Sequence, residues 1–338
     1  GHEIVENLRP GNCNPQGSHH MAITVVPWFH AMGTIAYLNY PIFVGTTLYV
    51  LPRFDAGEYL RVLKKYPIDA LGGAPPIYTA LLNHKDFPEY AASFKKVKIA
   101  ASGAGPLPLE YLNRMKEVIG GVLVEGYGMT ECTMAICLNP AAREGVRKAG
   151  SVGIPIFDSE VKIVELMDDA REVPMGEEGE ILQRGPQVMK GYWNRPEETA
   201  IALKGGWLHS GDIGRIDEDG YLYIVDRIKD MIKYKGYNVF PRNLEELLYR
   251  HPKIKEAAVI GIPDPSVTEY PRAYVVLKEG ETASAEEILN HINPKVGGYE
   301  KIREVVFRKE LPVSLAGKVL KRELRKEALA ERAGGYDM

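Results

Sequence analysis

Short β-rich runs alternate with helix-length periodic stretches over residues 22–135. The β-rich runs cover residues 23–26, 46–50, 97–100 and 122–124. Between them, apolar residues recur at helical spacing over residues 56–65 and 109–119. Strands that alternate with helices in this way predict a layered α/β subdomain.

The sequence changes character at about Gly150, where helix-length periods give way to short strands and tight turns. Strand patterns cover residues 161–165, 179–183, 214–217 and 221–225. The pair Asp219-Gly220 marks a tight turn before the last of them. This pattern predicts a small β-rich subdomain over residues 150–226.

Beyond Arg227 the pattern changes again and mixes helices with strands. It predicts helices over 243–250 and 284–292, strands over 256–260, 273–277 and 305–307, and a charged helix over 317–332. That last helix mixes acidic with basic residues, which favours a solvated helix face over a nucleic-acid-binding arm. We therefore expect two domains, residues 1–226 and residues 227–338, of which the second is a compact α+β module.

Acidic and basic residues nearly balance, since 45 Asp plus Glu stand against 42 Lys plus Arg. A protein that binds a phosphate backbone carries a basic surface, so nucleic acid is not an expected partner. The hydrophobic share of 45% is that of an ordinary globular protein rather than a disordered one. The 34 Gly and 23 Pro indicate many shaped loops, where binding sites commonly lie.

The cysteines are Cys13, Cys132 and Cys137, an odd number without the spacing of metal ligands. They favour neither a disulfide framework nor a zinc site. A reducing compartment fits such cysteines best, so the expected location is the cytoplasm.

The stretch between Pro10 and Pro52 contains no Asp, Glu, Lys or Arg and superficially resembles a membrane span. A spanning helix needs about 20 consecutive, mostly apolar residues. Here the apolar runs are interrupted by Pro27, Gly33, Asn39, Pro41 and Gly45. The stretch therefore predicts buried strand, loop and helix, and we expect no transmembrane span. Neither end of the chain has the pattern of a common targeting signal.

Two glycine-rich segments each follow a predicted strand. Residues 102–106 (SGAGP) are small enough to let the backbone approach a flat ligand, and a helix start follows them. Residues 125–131 (EGYGMTE) gather a ring, a hydroxyl and a carboxylate. Tyr127 can stack on a heterocycle, Thr130 can bond a phosphate oxygen, and Glu131 can hold a Mg²⁺ ion that bridges phosphates. Each segment alone is also compatible with a structural turn.

Three further segments place polar residues at turns. Asp212 follows a Ser-Gly turn, where its carboxylate can accept hydrogen bonds from a ribose diol or cap the turn. Residues 226–237 (DRIKDMIKYKGY) are dense in charge and lie where the fold character changes, which favours a hinge. Lys318 ends residues 312–318 (PVSLAGK) and, taken alone, is typical of a surface lysine.

In this order and spacing, together with residues 27–30 (PWFH), these segments resemble the adenylate-forming superfamily of acyl-CoA synthetases, 4-coumarate-CoA ligases and beetle luciferases. The similarity runs from about Ile23 to Arg325. It implies an α/β N-terminal portion with a small β-rich subdomain, a distorted barrel, and a mobile α+β C-terminal domain. It also implies an ATP-dependent acid–thiol ligase of fatty acid metabolism. The carboxylic acid and ATP give acyl-AMP and pyrophosphate, and coenzyme A then gives acyl-CoA and AMP.

The resemblance implies catalytic roles for Lys318, Lys233 and His30. Attack of a carboxylate on the α-phosphorus concentrates negative charge, which Lys318 and Mg²⁺ on Glu131 are expected to offset. The residues expected to bind the nucleotide are Gly103, Ala104, Gly105, Gly126, Tyr127, Gly128, Met129, Thr130, Asp212 and Arg227.

For the second half-reaction, the resemblance implies a rotation of the C-terminal domain about a hinge near 226–230, at Lys229. The rotation withdraws Lys318 and presents Lys233 and Gly236 to coenzyme A. His30 is expected to gate the pantetheine tunnel, and a satisfied histidine in a buried loop is the alternative. The expected acyl-pocket wall consists of Met32, Tyr127, Gly128 and Met134, although core packing explains the methionines equally well.

The sequence departs from the superfamily at one place. Members carry a Ser/Thr/Gly-rich phosphate loop ending in Pro-Lys-Gly upstream of the PWFH position, and residues 1–21 contain none. We therefore expect a missing N-terminal portion and slow adenylation by this chain alone. Exposed sheet edge and apolar surface would then favour self-association into a homo-oligomer. The pair His19-His20 fits a surface loop better than a metal pair or a cloning remnant.

Two other functions stay open. An adenylation module could hand its acyl group to a carrier protein or, as in luciferase, to oxygen. No serine-centred carrier domain is present in this sequence, so coenzyme A is the preferred acceptor. A non-catalytic fragment that only binds the nucleotide is the third possibility.

Overall fold

The residues group into two compact units. The computed structural model of the protein describes residues 20–105, 107–166, 168–314 and 318–334. The first unit comprises Gly1–Ser210 and Gly214–Ile224, and the second comprises Gly211–Ile213 and Val225–Met338. The positions Cys13, His19, Pro106 and Gly317, which the sequence analysis singled out, lie outside the described residues.

A mixed sheet of seven strands spans the α/β part of the first unit. The strands are β1 Met21–Thr24, β2 Thr47–Val50, β3 Ala70–Gly73, β4 Ile99–Ser102, β5 Val122–Tyr127, β6 Cys137–Leu138 and β7 Ile154–Pro155, in the order β2-β1-β3-β4-β5-β6-β7. The pairs from β2 to β5 are parallel, whereas β6 and β7 add antiparallel. Parallel strands end at one common edge of a sheet, and such edges are where ligands bind in open α/β sheets. The loops that follow β4 and β5 are therefore neighbours at this edge.

Helices lie between strands of the first unit. They are α1 Ala31–Thr34, α2 Tyr40–Val44, α3 Ala56–Lys65, α4 Pro75–Leu82, α5 Phe87–Tyr90, α6 Leu109–Val118 and α7 Pro196–Ala202, with 3₁₀ turns at Ala91–Lys96, Thr130–Cys132 and Lys204–Gly206. Helix α3 begins because Asp55 caps it, accepting a hydrogen bond from the backbone N–H of Glu58 at 2.7 Å. Its apolar side chains fall on one buried face: Tyr59, Leu60, Val62 and Leu63.

A π-helical turn, Ile35–Asn39, joins α1 to α2. It carries Tyr37, which is buried against β3: a β carbon placed on Gly72 would lie 1.3 Å from the Tyr37 hydroxyl oxygen. Only glycine fits there. Within the described ranges, no helix is both long and apolar enough to cross a bilayer. The described part of the uncharged stretch, residues 20–52, forms strand, loop and helix, as its interruptions predict.

A second, five-stranded sheet lies mostly in the first unit, and Gly211–Ile213 and residues 225–227 of its strands count with the second unit. Its strands are β8 Glu160–Glu165, β9 Asp168–Glu172, β10 Gly179–Arg184, β11 Leu208–Ile216 and β12 Leu222–Arg227, in the order β12-β11-β10-β8-β9. Ile163 of β8 and Ile181 of β10 pack with Leu208 and Leu222 in one apolar cluster, which also takes in Cys132. This cluster joins the β-rich sheet to the loop after β5.

The second unit has its own sheet and helices. They are β13 Ile232–Tyr234, β14 Tyr237–Val239, β15 Ile254–Asp264, β16 Thr268–Leu277 and β17 Glu304–Phe307, with α8 Pro241–Tyr249, α9 Ala285–Ile292 and α10 Lys321–Gly334 and 3₁₀ turns at Ile228–Asp230 and Asn293–Lys295. The strand order is β14-β13-β16-β15, and β17 pairs parallel with β16. This mixed α/β arrangement with a small C-terminal part confirms the predicted fold class.

Strand β16 explains how the second unit buries both faces of its sheet. Ala273 and Val275 pack with α8 and α9, whereas Tyr274 and Val276 pack with Leu324 of α10. Alternate residues of a strand point to opposite faces, so a strand covered on both sides is apolar at every position. The run 273–277 (AYVVL) therefore reads as a continuous buried strand.

Two histidines are packed together beside α9. The rings of His251 and His291 meet edge to face with centroids 4.8 Å apart, and His251 Nε2 lies 3.6 Å from Glu287 Oε1. Desolvation lowers the pKa of both rings. The carboxylate of Glu287 opposes this for His251, and the lysines that add to the lowering are Lys253, Lys278 and Lys295. Both rings therefore favour the neutral form.

Acidification is expected to destabilise the protein through these rings. The pKa of a histidine is about 6.5 in the unfolded chain and is lower for these two rings in the folded protein. Their contribution to the free energy of unfolding is therefore fully present above the unfolded pKa and is lost as the pH falls through the folded pKa. We predict that His251→Asn makes the melting temperature less sensitive to pH between pH 7 and pH 5 than in the parent protein. Thermal unfolding across this range checks it, with His84→Asn as the control. An unchanged pH dependence in His251→Asn would contradict the prediction.

Candidate functional site

The loops at the carboxyl edge of the parallel sheet meet the start of α1. A β carbon built on Gly103 would lie 3.4 Å from Met32 Sδ and 3.7 Å from the Gly126 carbonyl oxygen. The β4 loop, the end of β5 and helix α1 are thus in contact at one point. The adjoining Ala104 has a φ of 68°, a left-handed conformation that turns the chain sharply. Gly105 lies against Pro75, because a β carbon built on Gly105 would be 3.9 Å from the Pro75 ring.

His30 is the N-cap residue of α1. Its Nδ1 accepts a hydrogen bond from the Met32 backbone N–H at 3.2 Å. A nitrogen that accepts carries no proton, so this bond assigns the neutral ring proton to Nε2. The segment before it is held tightly, because a β carbon on Gly33 would lie 2.0 Å from the Pro27 carbonyl oxygen. His30 is therefore fixed in position and tautomer.

Tyr127 ends β5 and is held from two sides. Its hydroxyl oxygen accepts a hydrogen bond from Gln183 Nε2 at 3.2 Å, and its carbonyl accepts one from Ile136 N–H at 2.9 Å. Gln183 is completely buried in β10. Tyr127 as a whole is half-buried. Sequence reasoning missed Gln183, because a single glutamine inside a strand carries no local signal.

The segment after Tyr127 folds back on itself. A β carbon on Gly128 would lie 2.1 Å from the Met134 carbonyl oxygen, so a larger residue does not fit. The backbone N–H of Met129 donates to Cys132 Sγ at 3.2 Å, which closes the 3₁₀ turn Thr130–Cys132. Cys132 is buried and Thr130 is exposed at the head of the turn. Thr130 therefore keeps an exposed surface at the start of this turn.

Glu131 is oriented by a tyrosine from a distant loop. The Tyr192 hydroxyl donates to Glu131 Oε1 at 2.8 Å. Desolvation and this hydrogen bond raise the pKa of Tyr192 to about 12, so the phenol stays a donor at neutral pH. A single carboxylate suits Mg²⁺, which proteins commonly hold through one or two carboxylates plus substrate phosphates. Among the described residues, no group of three or more His, Cys, Asp or Glu side chains could hold a metal by itself.

The second unit carries Asp212 and Arg227, which are predicted to bind the ribose, and Lys318, the predicted catalytic lysine. Arg227 Nε lies 3.1 Å from Asp212 Oδ1, and Asp212 is 5% exposed. The charges of Asp212 and Arg227 also act on Lys318. Although the residue keeps an exposed surface, desolvation lowers the pKa of its ammonium, and the charges of Arg227 and Lys229 act in the same direction. The carboxylates of Asp212 and Asp230 oppose that shift.

The expected coenzyme A residues lie on the hairpin of β13 and β14. Lys235 and Gly236 form its turn with φ values of 47° and 86°, the conformation of a tight two-residue hairpin. Lys233 Nζ donates to Asn238 Oδ1 at 2.7 Å, and the Lys233 backbone N–H donates to Glu269 Oε2 at 3.0 Å. Lys229 is exposed in the 3₁₀ turn Ile228–Asp230. The structure thus brings Asp212, Arg227 and Lys318 together and places Lys233 and Gly236 on a separate hairpin.

Comparison with protein families identifies the family of this chain. Residues 3–193 match the model of the AMP-binding enzyme family, and residues 243–318 match that of the AMP-binding enzyme C-terminal domain. The chain belongs to the AMP-binding enzyme family. The resemblance inferred from the motifs is therefore confirmed.

Several relatives are similar over most of this chain. The long-chain-fatty-acid–CoA ligase of Bacillus subtilis (strain 168) is 42% identical over 303 residues, which cover 90% of this chain and 53% of that protein. The 4-coumarate–CoA ligase-like 4 of Oryza sativa subsp. japonica is 38% identical over 311 residues, 91% of this chain and 55% of that protein. The chain thus spans about half the length of the curated relatives it matches.

Solved structures show the same fold. The ATP-bound MatB of Rhodopseudomonas palustris superposes with a TM-score of 0.86 at 29% identity, covering 96% of this chain and 62% of that chain. The anthranilate CoA ligase AuaEII in complex with anthranoyl-AMP superposes with a TM-score of 0.84 at 30% identity, covering 93% and 60%.

Proposed function

We propose that the protein is an ATP-dependent acid–thiol ligase that makes an acyl-CoA through an acyl-adenylate. In the first half-reaction a carboxylate oxygen attacks the α-phosphorus of ATP, and the bond to the β-phosphate breaks to release pyrophosphate. In the second, the thiol of coenzyme A attacks the acyl carbon, loses its proton and expels AMP. The observation that carries the proposal is the cluster of Asp212, Arg227 and Lys318 in a member of the AMP-binding enzyme family.

Lys318 is proposed as the catalytic cation of the first half-reaction. Bringing a carboxylate to a polyphosphate joins two anions, and the pentavalent transition state gathers their charge. A lysine ammonium is a compact point charge on a long stem, able to bridge both reactants. The carboxylates of Asp212 and Asp230 favour the charged ammonium against its desolvation, which keeps it useful for this role.

The nucleotide is proposed to lie along the two glycine-rich loops. Tyr127, anchored by Gln183, would stack on adenine, with the backbone of 103–105 on the other side. Asp212 would accept hydrogen bonds from the ribose hydroxyls, with Arg227 alongside. The residues left to receive phosphate and metal are Gly126, Gly128, Met129, Thr130 and Glu131. Mg²⁺ would be held by Glu131 and would offset the phosphate charge when bound.

The second half-reaction is proposed to follow a rotation of the second unit. After adenylation the second unit is proposed to turn at 226–230, about Lys229, so that Lys318 leaves and Lys233 and Gly236 serve the thiol step. His30, with its proton on Nε2, is proposed to gate the pantetheine tunnel. Cytoplasmic location and a homo-oligomeric state remain predictions.

A fatty acid is the proposed substrate class. The curated ligases of Bacillus subtilis and several other bacteria that this chain resembles bear the name long-chain-fatty-acid–CoA ligase. The proposed pocket wall contains Met32 and Met134, whose flexible side chains can pack against an acyl chain. Aryl acids are the second class to test, since a 4-coumarate–CoA ligase-like protein is also similar.

Exchange of labelled pyrophosphate into ATP tests the proposed function in the intact protein. We expect exchange that depends on added carboxylic acid, highest for fatty acids in a panel that also holds short and aryl acids. AMP release should rise when coenzyme A is added, because the thiol clears acyl-AMP from the site. AMP release that ignores coenzyme A would favour another acyl acceptor, and exchange with no acid dependence would contradict acid activation.

A further inference from the structure

Residues 312–314 pair with residues 318–320, and these two arms are named the Lys318 hairpin. The Ser314 backbone N–H donates to the Lys318 carbonyl at 2.8 Å, and the Lys318 N–H donates to Ser314 Oγ at 3.1 Å. Val313 and Val319 form an antiparallel bridge. The Leu320 N–H donates to the Pro312 carbonyl at 2.8 Å. The backbone from Lys318 to Leu320 is therefore fixed at each step.

Lys321 follows at once, at the start of α10, and its ammonium is turned inward. Its Nζ lies 2.8 Å from Glu245 Oε1 on α8, with the two side chains only 19% and 15% exposed. The same Glu245 oxygen accepts a hydrogen bond from the Val259 N–H of β15 at 2.7 Å. The Leu320 carbonyl accepts from the first turn of α10. One buried ion pair thus ties the end of the Lys318 hairpin to a helix and a strand.

A second carboxylate joins this network from the hinge side. Asp226 accepts hydrogen bonds from the Arg227 N–H at 2.7 Å and from the Arg242 N–H at the start of α8 at 2.9 Å. It is 5% exposed, and desolvation raises its pKa. Desolvation opposes the charge of Lys321, but Glu245 and Asp226 outweigh it and raise the pKa of that lysine. The network therefore holds a buried, charged Lys321.

We propose that Lys321 is a positioning residue for Lys318: its ion pair with Glu245 sets where the hairpin ends and so where the catalytic ammonium stands. The inference rests on the proposed function of Lys318. The hydrogen bonds that join Lys318 to Ser314 and the Leu320 N–H to the Pro312 carbonyl make this connection stiff, so a shift at Lys321 is passed to Lys318 rather than absorbed. The same network fixes the backbone of Arg227 through Asp226, which aligns the lysine with the ribose partner.

Removing the Lys321 ammonium should slow adenylate formation and spare thioester formation. A displacement of about 1 Å at a reacting group can cost about 10²-fold in rate. We expect Lys321→Met to lower kcat for adenylate formation by about 10²-fold, with KM for ATP little changed. Thioester formation from supplied acyl-AMP should stay close to that of the parent. Arg322→Met is the matched control, since this neighbouring side chain is 95% exposed.

Two more variants keep the test decisive if Lys321→Met unfolds. Lys321→Arg retains the charge and should recover most of the adenylation rate, whereas Glu245→Gln removes the partner's charge and should reproduce the selective loss. Equal losses in both half-reactions, or a Lys321→Met enzyme as active as Arg322→Met, would overturn the positioning role. Absence of adenylation in the parent protein itself would instead overturn the proposed function, so the two failures are distinguishable.

Discussion

Replacing Lys318 with alanine is expected to reduce adenylate formation by about 10²- to 10³-fold, the loss seen when one preorganised electrostatic group is removed from a transition state. Desolvation lowers the pKa of the Lys318 ammonium, and the charges of Arg227, Asp212 and Asp230 also act on it. No other group is proposed to reach both the carboxylate and the α-phosphate. Because the lysine is proposed to leave before the thiol attacks, thioester formation from supplied acyl-AMP should be largely spared.

The two half-reactions are measured separately to check this. Pyrophosphate release reports the first, and thioester formation from synthetic acyl-AMP reports the second. Lys326→Ala, an exposed lysine on α10, is the control and should leave both unchanged. Equal loss of both steps in Lys318→Ala would count against a lysine that serves adenylation alone.

Replacing Asp212 with alanine is expected to weaken AMP binding by about 10²-fold. A hydrogen bond to a charged group contributes about 1.5–3 kcal/mol, and the substitution removes the proposed acceptor of the ribose hydroxyls. It also leaves Arg227 without the carboxylate that its Nε contacts at 3.1 Å. The loss should appear in the dissociation constants of AMP and ATP alike, because both share the ribose.

Calorimetric titration with AMP measures that loss. Glu218→Ala, an exposed carboxylate in the turn between β11 and β12, is the control and should bind AMP as the parent does. Asp212→Asn keeps the size of the side chain and covers the case in which the alanine variant does not fold. Unaltered AMP affinity in a folded Asp212 variant would remove this residue from the nucleotide site.

The sequence allowed the layered α/β part to be predicted because its signals are local. Helix α3 matches its predicted range, since one N-cap and one apolar face define it. Strand β11 was harder: the pattern marked only 214–217, whereas the strand runs Leu208–Ile216. Its first half holds the Ser-Gly turn residues that read as loop. Glycine and serine carry no strand signal, so pairing with neighbouring strands decides their structure.

The supporting residues of the candidate site could not be predicted. Tyr192 meets Glu131 across 61 positions, and Gln183 meets Tyr127 across 56. Such partners depend on how sheets and loops pack, which periodicity does not encode. A solvated face was predicted for the charged terminal helix, without an assignment for each lysine. The Lys321 ammonium lies 2.8 Å from Glu245 Oε1, because the register of α10 turns its first lysine inward.

The most direct test of acid activation uses a carboxylic acid labelled with ¹⁸O in both carboxyl oxygens, together with ATP and coenzyme A. If the carboxylate attacks the α-phosphorus, one labelled oxygen bridges acyl and phosphate and leaves with AMP when the thiol attacks. We predict AMP that carries one ¹⁸O for each acyl-CoA formed. Unlabelled AMP, or label found in inorganic phosphate, would contradict it.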